Sequence, residues 1–134
     1  AESCTGGYIA HNITAIPGSS AYFKGSVVTY ANEMKTKLLG VKEQTLAAHG
    51  AVSEATVREM VAGALQLLET DYAIAVSGIM GPDGGSPEKP VGTVWIAVGS
   101  AEKIVTVKHR LLYDRERNIH MTAVYAMNEL RKLI

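Results

Sequence analysis

One short unbroken apolar run, Tyr72-Ala-Ile-Ala-Val76, does most to limit what this chain can become. It has the length of a strand, and its lack of polar alternation means that both of its faces must be covered. Just before it, Val57, Met60, Val61, Ala64, Leu65 and Leu68 follow i, i+3, i+4, i+7, i+8 spacing, the pattern of an amphipathic helix that Ser53 is placed to cap. Just after it comes a Gly/Pro-rich loop, Gly78 to Pro90. Loops of that length at a strand end are usually binding or catalytic elements.

The segments 91–98 and 103–110 are apolar and β-branched, and the tight connection around Gly99 to Glu102 predicts an antiparallel hairpin. Asp114 can cap a terminal helix whose Ile119, Ala123, Met127, Leu130 and Ile134 form one stripe. Nearer the start, Gly7 to Ile16 reads as a short helix stopped by Pro17-Gly18, and 25–30 reads as a strand. Asn32 offers an N-cap for a helix over Glu33 to Leu39, which Gly40 ends. Helices alternating with strands, with a hairpin late in the chain, predict an α/β fold: a single three-layer α/β/α domain over 1–134 with a mixed sheet.

At 134 residues and nearly half apolar, the chain can bury one core. Acidic and basic residues balance at 13 each, so no net field favours nucleic acid or an anionic membrane, and any anion site must be local. No apolar run approaches the ~20 residues of a membrane span, and no leader pattern is present, so a soluble, cytoplasmic protein is expected. Cys4 is the single cysteine, which excludes an internal disulfide. His11, His49, His109 and His120 have no metal-ligand spacing, and no metal is expected.

The chemistry concentrates in four segments. Ala1-Glu-Ser-Cys-Thr-Gly-Gly7 sets Ser3 on a Gly-ended turn running into a helix, which suits acyl transfer if nearby N–H groups receive an oxyanion. The same pattern also fits a plain helix cap, and Cys4 is a second candidate nucleophile. Tyr30 and Lys35 bracket a strand-to-helix junction. A partly neutral Lys35 can act as base for a serine, whereas a solvated lysine beside a packed tyrosine is the plainer alternative. The loop Ser77 to Pro90 can cradle a phosphate but lacks the Gly-Lys-Ser/Thr ending of a nucleotide P-loop. Arg115 and Arg117 open the last helix, where the dipole disfavours cations; an anion partner explains them, as does a surface cluster with Asp114 and Glu116.

These motifs, with Pro17-Gly-Ser-Ser-Ala21, Val28-Thr-Tyr-Ala-Asn-Glu-Met-Lys35, His49-Gly-Ala-Val-Ser53 and Lys89-Pro-Val-Gly-Thr-Val94, occur in the order of one family. The chain resembles the C-terminal domain of the competence/damage-inducible protein CinA, a family that includes stand-alone nicotinamide mononucleotide amidases, over essentially its whole length. The resemblance implies a bacterial C–N hydrolase acting on a linear amide, which converts nicotinamide mononucleotide to nicotinate mononucleotide and ammonia in pyridine nucleotide recycling. It implies Ser3 as nucleophile, Lys35 as general base and Tyr30 as the hydroxyl completing a Ser-Lys site. Ser77, with Gly78 and Gly81 of its loop, would contact substrate, and Arg115 or Arg117 would hold the phosphate. N–H groups of Thr5, Gly6 and Gly7 would stabilise the oxyanion.

No cofactor is called for, and a homodimer is the expected assembly. Met80 stands where relatives commonly have alanine and Lys24 where arginine is common. The resemblance also implies a helix and a strand ahead of the Ser3 motif, which a chain starting at Ala1 is expected to lack. The alternative function is a non-catalytic nucleotide-binding or regulatory module of a longer CinA-type protein.

Overall fold

A computed structural model describes residues 1–134. Its sheet has three strands, β1 (Ala73–Gly78), β2 (Thr93–Gly99) and β3 (Ile104–Arg110), in the order β1-β2-β3 and antiparallel throughout. The register runs from Ala73 opposite Gly99 to Gly78 opposite Val94, then from Thr93 opposite Arg110 to Gly99 opposite Ile104. Both the apolar run and the late hairpin therefore form as their patterns predict.

Side-chain alternation then sorts the two faces. Ile74, Val76, Val94, Ile96 and Val98 pack with Ala123 and Ala126 of α5 (Arg115–Leu133), against which α1 (Tyr8–Thr14) also lies. Ala75 and Ala97 on the opposite face pack with Val57, Met60, Val61 and Ala64 of α4 (Glu54–Leu68). The helices α2 (Asn32–Leu39) and α3 (Glu43–His49) pack onto α4 outside this layer. Trp95 and Ile104 also pack on the α4 face, and the result is a three-layer α/β/α domain. No helix is long and apolar enough to cross a membrane.

Parallel pairing enters the sheet through one residue. Glu2 bridges in parallel to Val76 on one side and Val28 on the other. Glu2 N donates to Val27 O (2.8 Å), Thr29 N to Glu2 O (2.8 Å) and Val76 N to Ala1 O (3.2 Å). The strand expected over 25–30 is corrected here: it is extended backbone with a single bridge, from Val28 to Glu2.

The caps at Ser53 and Asp114 are made, their side chains accepting from Thr56 N and Arg117 N. Asn32 is not a cap: Ala31 holds that position without a side-chain bond, and Asn32 is the first helical residue. The seven-residue α3 was not anticipated from the sequence pattern. One glycine is essential to the placement of α2. A Cβ at Gly63 would lie 1.9 Å from Leu39 O, so α4 can cross the end of α2 this closely only with glycine there.

Candidate active site

The parallel bridges bring Ser3, Thr29 and the start of α2 together. Lys35, on the first turn of α2, is only 1% exposed. Its Nζ has three oxygen neighbours, Thr29 O at 2.8 Å, Tyr30 O at 3.1 Å and Ser3 Oγ at 3.1 Å. Burial holds its pKa below the ordinary lysine value, and the neighbouring Cys4 acts weakly in the opposite direction.

The three neighbours decide what a neutral Lys35 can do. A neutral amine has two N–H groups and one lone pair, while carbonyl oxygens only accept. Thr29 O and Tyr30 O take the two N–H groups, and the lone pair is left for the Ser3 hydroxyl. The plainer alternative of a solvated lysine is thereby excluded.

Cys4 is buried in the core, and burial pushes its thiol up to about 12. It is a packed thiol rather than a thiolate nucleophile at neutral pH.

Glu2 was not among the residues singled out in the sequence, yet it organises the turn. It is 2% exposed. Its Oε2 accepts from Thr5 Oγ1 (2.5 Å), Gly7 N (3.1 Å) and Ile9 N (3.0 Å), and its Oε1 from Ala10 N (2.9 Å). The N-terminal amides of α1 are therefore spent on a carboxylate of the chain itself. Gly6 N donates to Ser3 O (3.1 Å). The expected oxyanion donors are corrected accordingly: Gly6 and Gly7 are engaged elsewhere. The amides of Cys4 and Thr5, the two that follow Ser3, donate to no other residue.

Ser3, Cys4, Tyr30, Lys35, Ser77, Gly78 and Arg115 line one cavity of about 260 Å³, together with Asn32, Met80 and Asp83. The two arginines part company here. Arg115 Nη1 donates to Gly81 O (2.7 Å) and Nη2 to the Tyr30 hydroxyl (3.4 Å), whereas Arg117 stacks over Tyr113 at 4.5 Å and does not line the cavity. Gly81 lies outside the lining and acts through its carbonyl; its φ of +88° and the 2.6 Å a Cβ would have to Val91 Cγ1 require glycine. Tyr30 differs from expectation too. Its carbonyl meets Lys35, while its hydroxyl meets Arg115 at the rim.

One further contact escaped sequence reasoning. Asn118 Nδ2, fully buried on α5, donates to Met80 O (2.9 Å) and Tyr113 O (3.0 Å), which ties the Gly-rich loop to the helix carrying Arg115. Asp83 adds a carboxylate to the cavity wall. Lys24 donates instead to Glu69 O and lines a separate, mainly apolar cleft of about 780 Å³ that contains neither Ser3 nor Lys35.

A profile of the CinA C-terminal domain matches residues 1–134. The chain is 52% identical over 131 residues to the nicotinamide-nucleotide amidohydrolase PncC of Escherichia coli K12, covering 97% of this chain and 79% of that protein. It is 50% identical to a CinA-like protein of Cytophaga hutchinsonii, covering 98% of this chain but only 32% of the longer relative. Among solved structures, the competence/damage inducible protein CihA from Agrobacterium tumefaciens superposes with a TM-score of 0.97 at 42% identity, covering 98% of this chain and 81% of that one.

Proposed function

Because the chain belongs to the CinA C-terminal domain family, we propose that it is a nicotinamide-nucleotide amidohydrolase working through a Ser-Lys acyl-enzyme. The observation that carries this reading is the buried Lys35 Nζ, with two carbonyls on its N–H groups and Ser3 Oγ at 3.1 Å. A similar protein of E. coli carries the amidohydrolase name, and the substrate is transferred from that relative.

Ser3 Oγ attacks the carboxamide carbon of nicotinamide mononucleotide while its proton passes to the Lys35 lone pair. Negative charge develops on the former carbonyl oxygen, and the amides of Cys4 and Thr5, which follow Ser3 and donate to no other residue, are the proposed donors to it, with Ser77 lining the same cavity. Each well-aimed donor of this kind is worth about 3 kcal/mol. Collapse breaks the C–N bond, and Lys35 returns the proton to the leaving nitrogen, which departs as ammonia. A water molecule, deprotonated by the again neutral Lys35, then cleaves the Ser3 ester and releases nicotinate mononucleotide.

Arg115 is the cation that remains for the phosphate, held in place by Gly81 O and flanked by the Tyr30 hydroxyl. Guanidinium binds phosphate through paired N–H groups. Asp83 stands in the same wall and suits the cationic pyridinium ring.

The test is incubation of the purified protein with nicotinamide mononucleotide, with ammonia and nicotinate mononucleotide both measured. Equal amounts of the two from the wild type and none from Ser3→Ala are expected. Nucleotide binding without turnover would establish the non-catalytic module instead.

A further inference from the structure

The carboxylate of Glu2 has no part in the chemistry above, yet it is among the most completely buried charged groups of the chain. Burying a carboxylate is costly unless its oxygens are fully bonded. Here three amides and one hydroxyl bond it within 3.1 Å, all of them from residues 5 to 10. Its backbone is held equally firmly between Val27, Thr29 and the strand β1. Glu2 is thus fixed at both ends, and Ser3 is the next residue.

This arrangement goes further than capping a helix. The N-cap of α1 is Gly7, which has no side chain to do that work. Glu2 supplies the acceptor from the far side of the turn, so the loop Ser3-Cys4-Thr5 is closed by a side chain at its base. The Thr5 hydroxyl, bonded to the same Oε2 as Gly7 N, ties the middle of the loop to that base. The placement of Ser3 Oγ against Lys35 follows from this closure.

We propose that Glu2 is the positioning residue of the nucleophile turn, holding Ser3 Oγ on Lys35 through its bonds to Thr5, Gly7, Ile9 and Ala10. The proposal rests on the reading of Ser3 as nucleophile and adds the residue that orients it. Glu2→Gln keeps the shape but replaces one acceptor oxygen with an NH₂ group facing N–H donors. A nucleophile displaced by a fraction of an ångström loses rate without losing substrate affinity, by about 10- to 100-fold.

The experiment labels the purified chain with a fluorophosphonate, which reports serine nucleophilicity whatever the natural substrate is, and follows both the rate constant and the final extent. Kinetics with nicotinamide mononucleotide and thermal melting are run beside it. Glu2→Gln should label Ser3 to full extent at a rate about 10- to 100-fold lower. Its kcat should fall in parallel, with KM and the midpoint of the pH profile unchanged, because burial and Cys4, not Glu2, set the Lys35 shift.

Thr5→Val, which removes one bond and leaves the charge, should show the same split to a smaller degree if Glu2→Gln does not fold. Labelling at the wild-type rate to a reduced extent would mean that Glu2 only supports folding, and would overturn the proposal. A wild-type chain labelled no faster than Ser3→Ala would instead defeat the nucleophile reading, and the proposal with it.

Discussion

Thr29 and Lys35 share a bond that links the proposed base to the backbone of the proposed nucleophile. The Thr29 carbonyl accepts from Lys35 Nζ at 2.8 Å, while the Thr29 amide donates to Glu2 O, one residue before Ser3, also at 2.8 Å. The distance between Ser3 Oγ and Lys35 Nζ is therefore set by a two-bond path through one fully buried residue. On the proposed mechanism this is preorganisation: the two groups are placed before substrate arrives.

Removing the base should separate activity from stability. Lys35→Met is expected to lower kcat at least about 100-fold, the usual loss with a general base. The same substitution should raise the melting temperature at neutral pH, since a buried group that resists its charged form is replaced by an apolar side chain of similar length. Thermal melting and steady-state kinetics on one preparation check both. A variant that is less stable and still active would contradict the account.

The pH dependence follows from the same group. The proposed mechanism needs neutral Lys35, so kcat/KM should rise with pH through a lysine pKa that lies below the ordinary value. Between the folded and unfolded pKa values the unfolded chain holds one more proton than the folded one, so stability from this site also rises with pH, and it is lost as pH falls through the folded pKa. His109 adds to the acid loss near its own range, because burial lowers its pKa and its Nε2 has no partner. Denaturant melts across pH with His109→Phe as comparison should show a shallower acid limb in the variant.

Cys4 is adjacent to Ser3 and lines the cavity, yet its thiol stays protonated. Cys4→Ala is expected to keep kcat within about threefold, well short of the loss from removing a nucleophile. Iodoacetamide at neutral pH should leave the folded protein active. Rapid inactivation by the reagent, with protection by nucleotide, would point to the thiol after all.

The proposed phosphate contact divides Arg115 from Arg117. Arg115→Ala should raise KM by about 10- to 100-fold, the worth of a lost charged hydrogen bond, with kcat less affected. Arg117→Ala should leave KM near the wild-type value, because that guanidinium lies on Tyr113. Arg115→Lys is expected to recover only part of the loss, since a lysine cannot hold Gly81 O and a phosphate in one plane.

Much of this was legible in the sequence where a single local rule governs. Caps at Ser53 and Asp114, the α4 and α5 stripes and the late hairpin are short-range patterns, and they form within a residue or two of their expected bounds, with Ile134 alone left exposed past the end of α5. The segment 25–30 has strand composition, but its one bridge is to Glu2, a contact distant in sequence that no local pattern announces. Motif order exposed Ser3 and Lys35. It could not choose between Arg115 and Arg117, because residues two apart on a helix face different ways. Glu2 and Asn118 were invisible because a polar residue beside a turn or on a helix reads as solvated. Only the packed structure shows each of them buried and fully bonded.

The most direct measurement is to quench the wild-type enzyme during turnover of nicotinamide mononucleotide and map the modified peptide by mass spectrometry. The account predicts a nicotinate nucleotide ester on Ser3, absent from Ser3→Ala and discharged by water in the wild type. Turnover with no covalent species at Ser3, or with the adduct on Cys4, would contradict it.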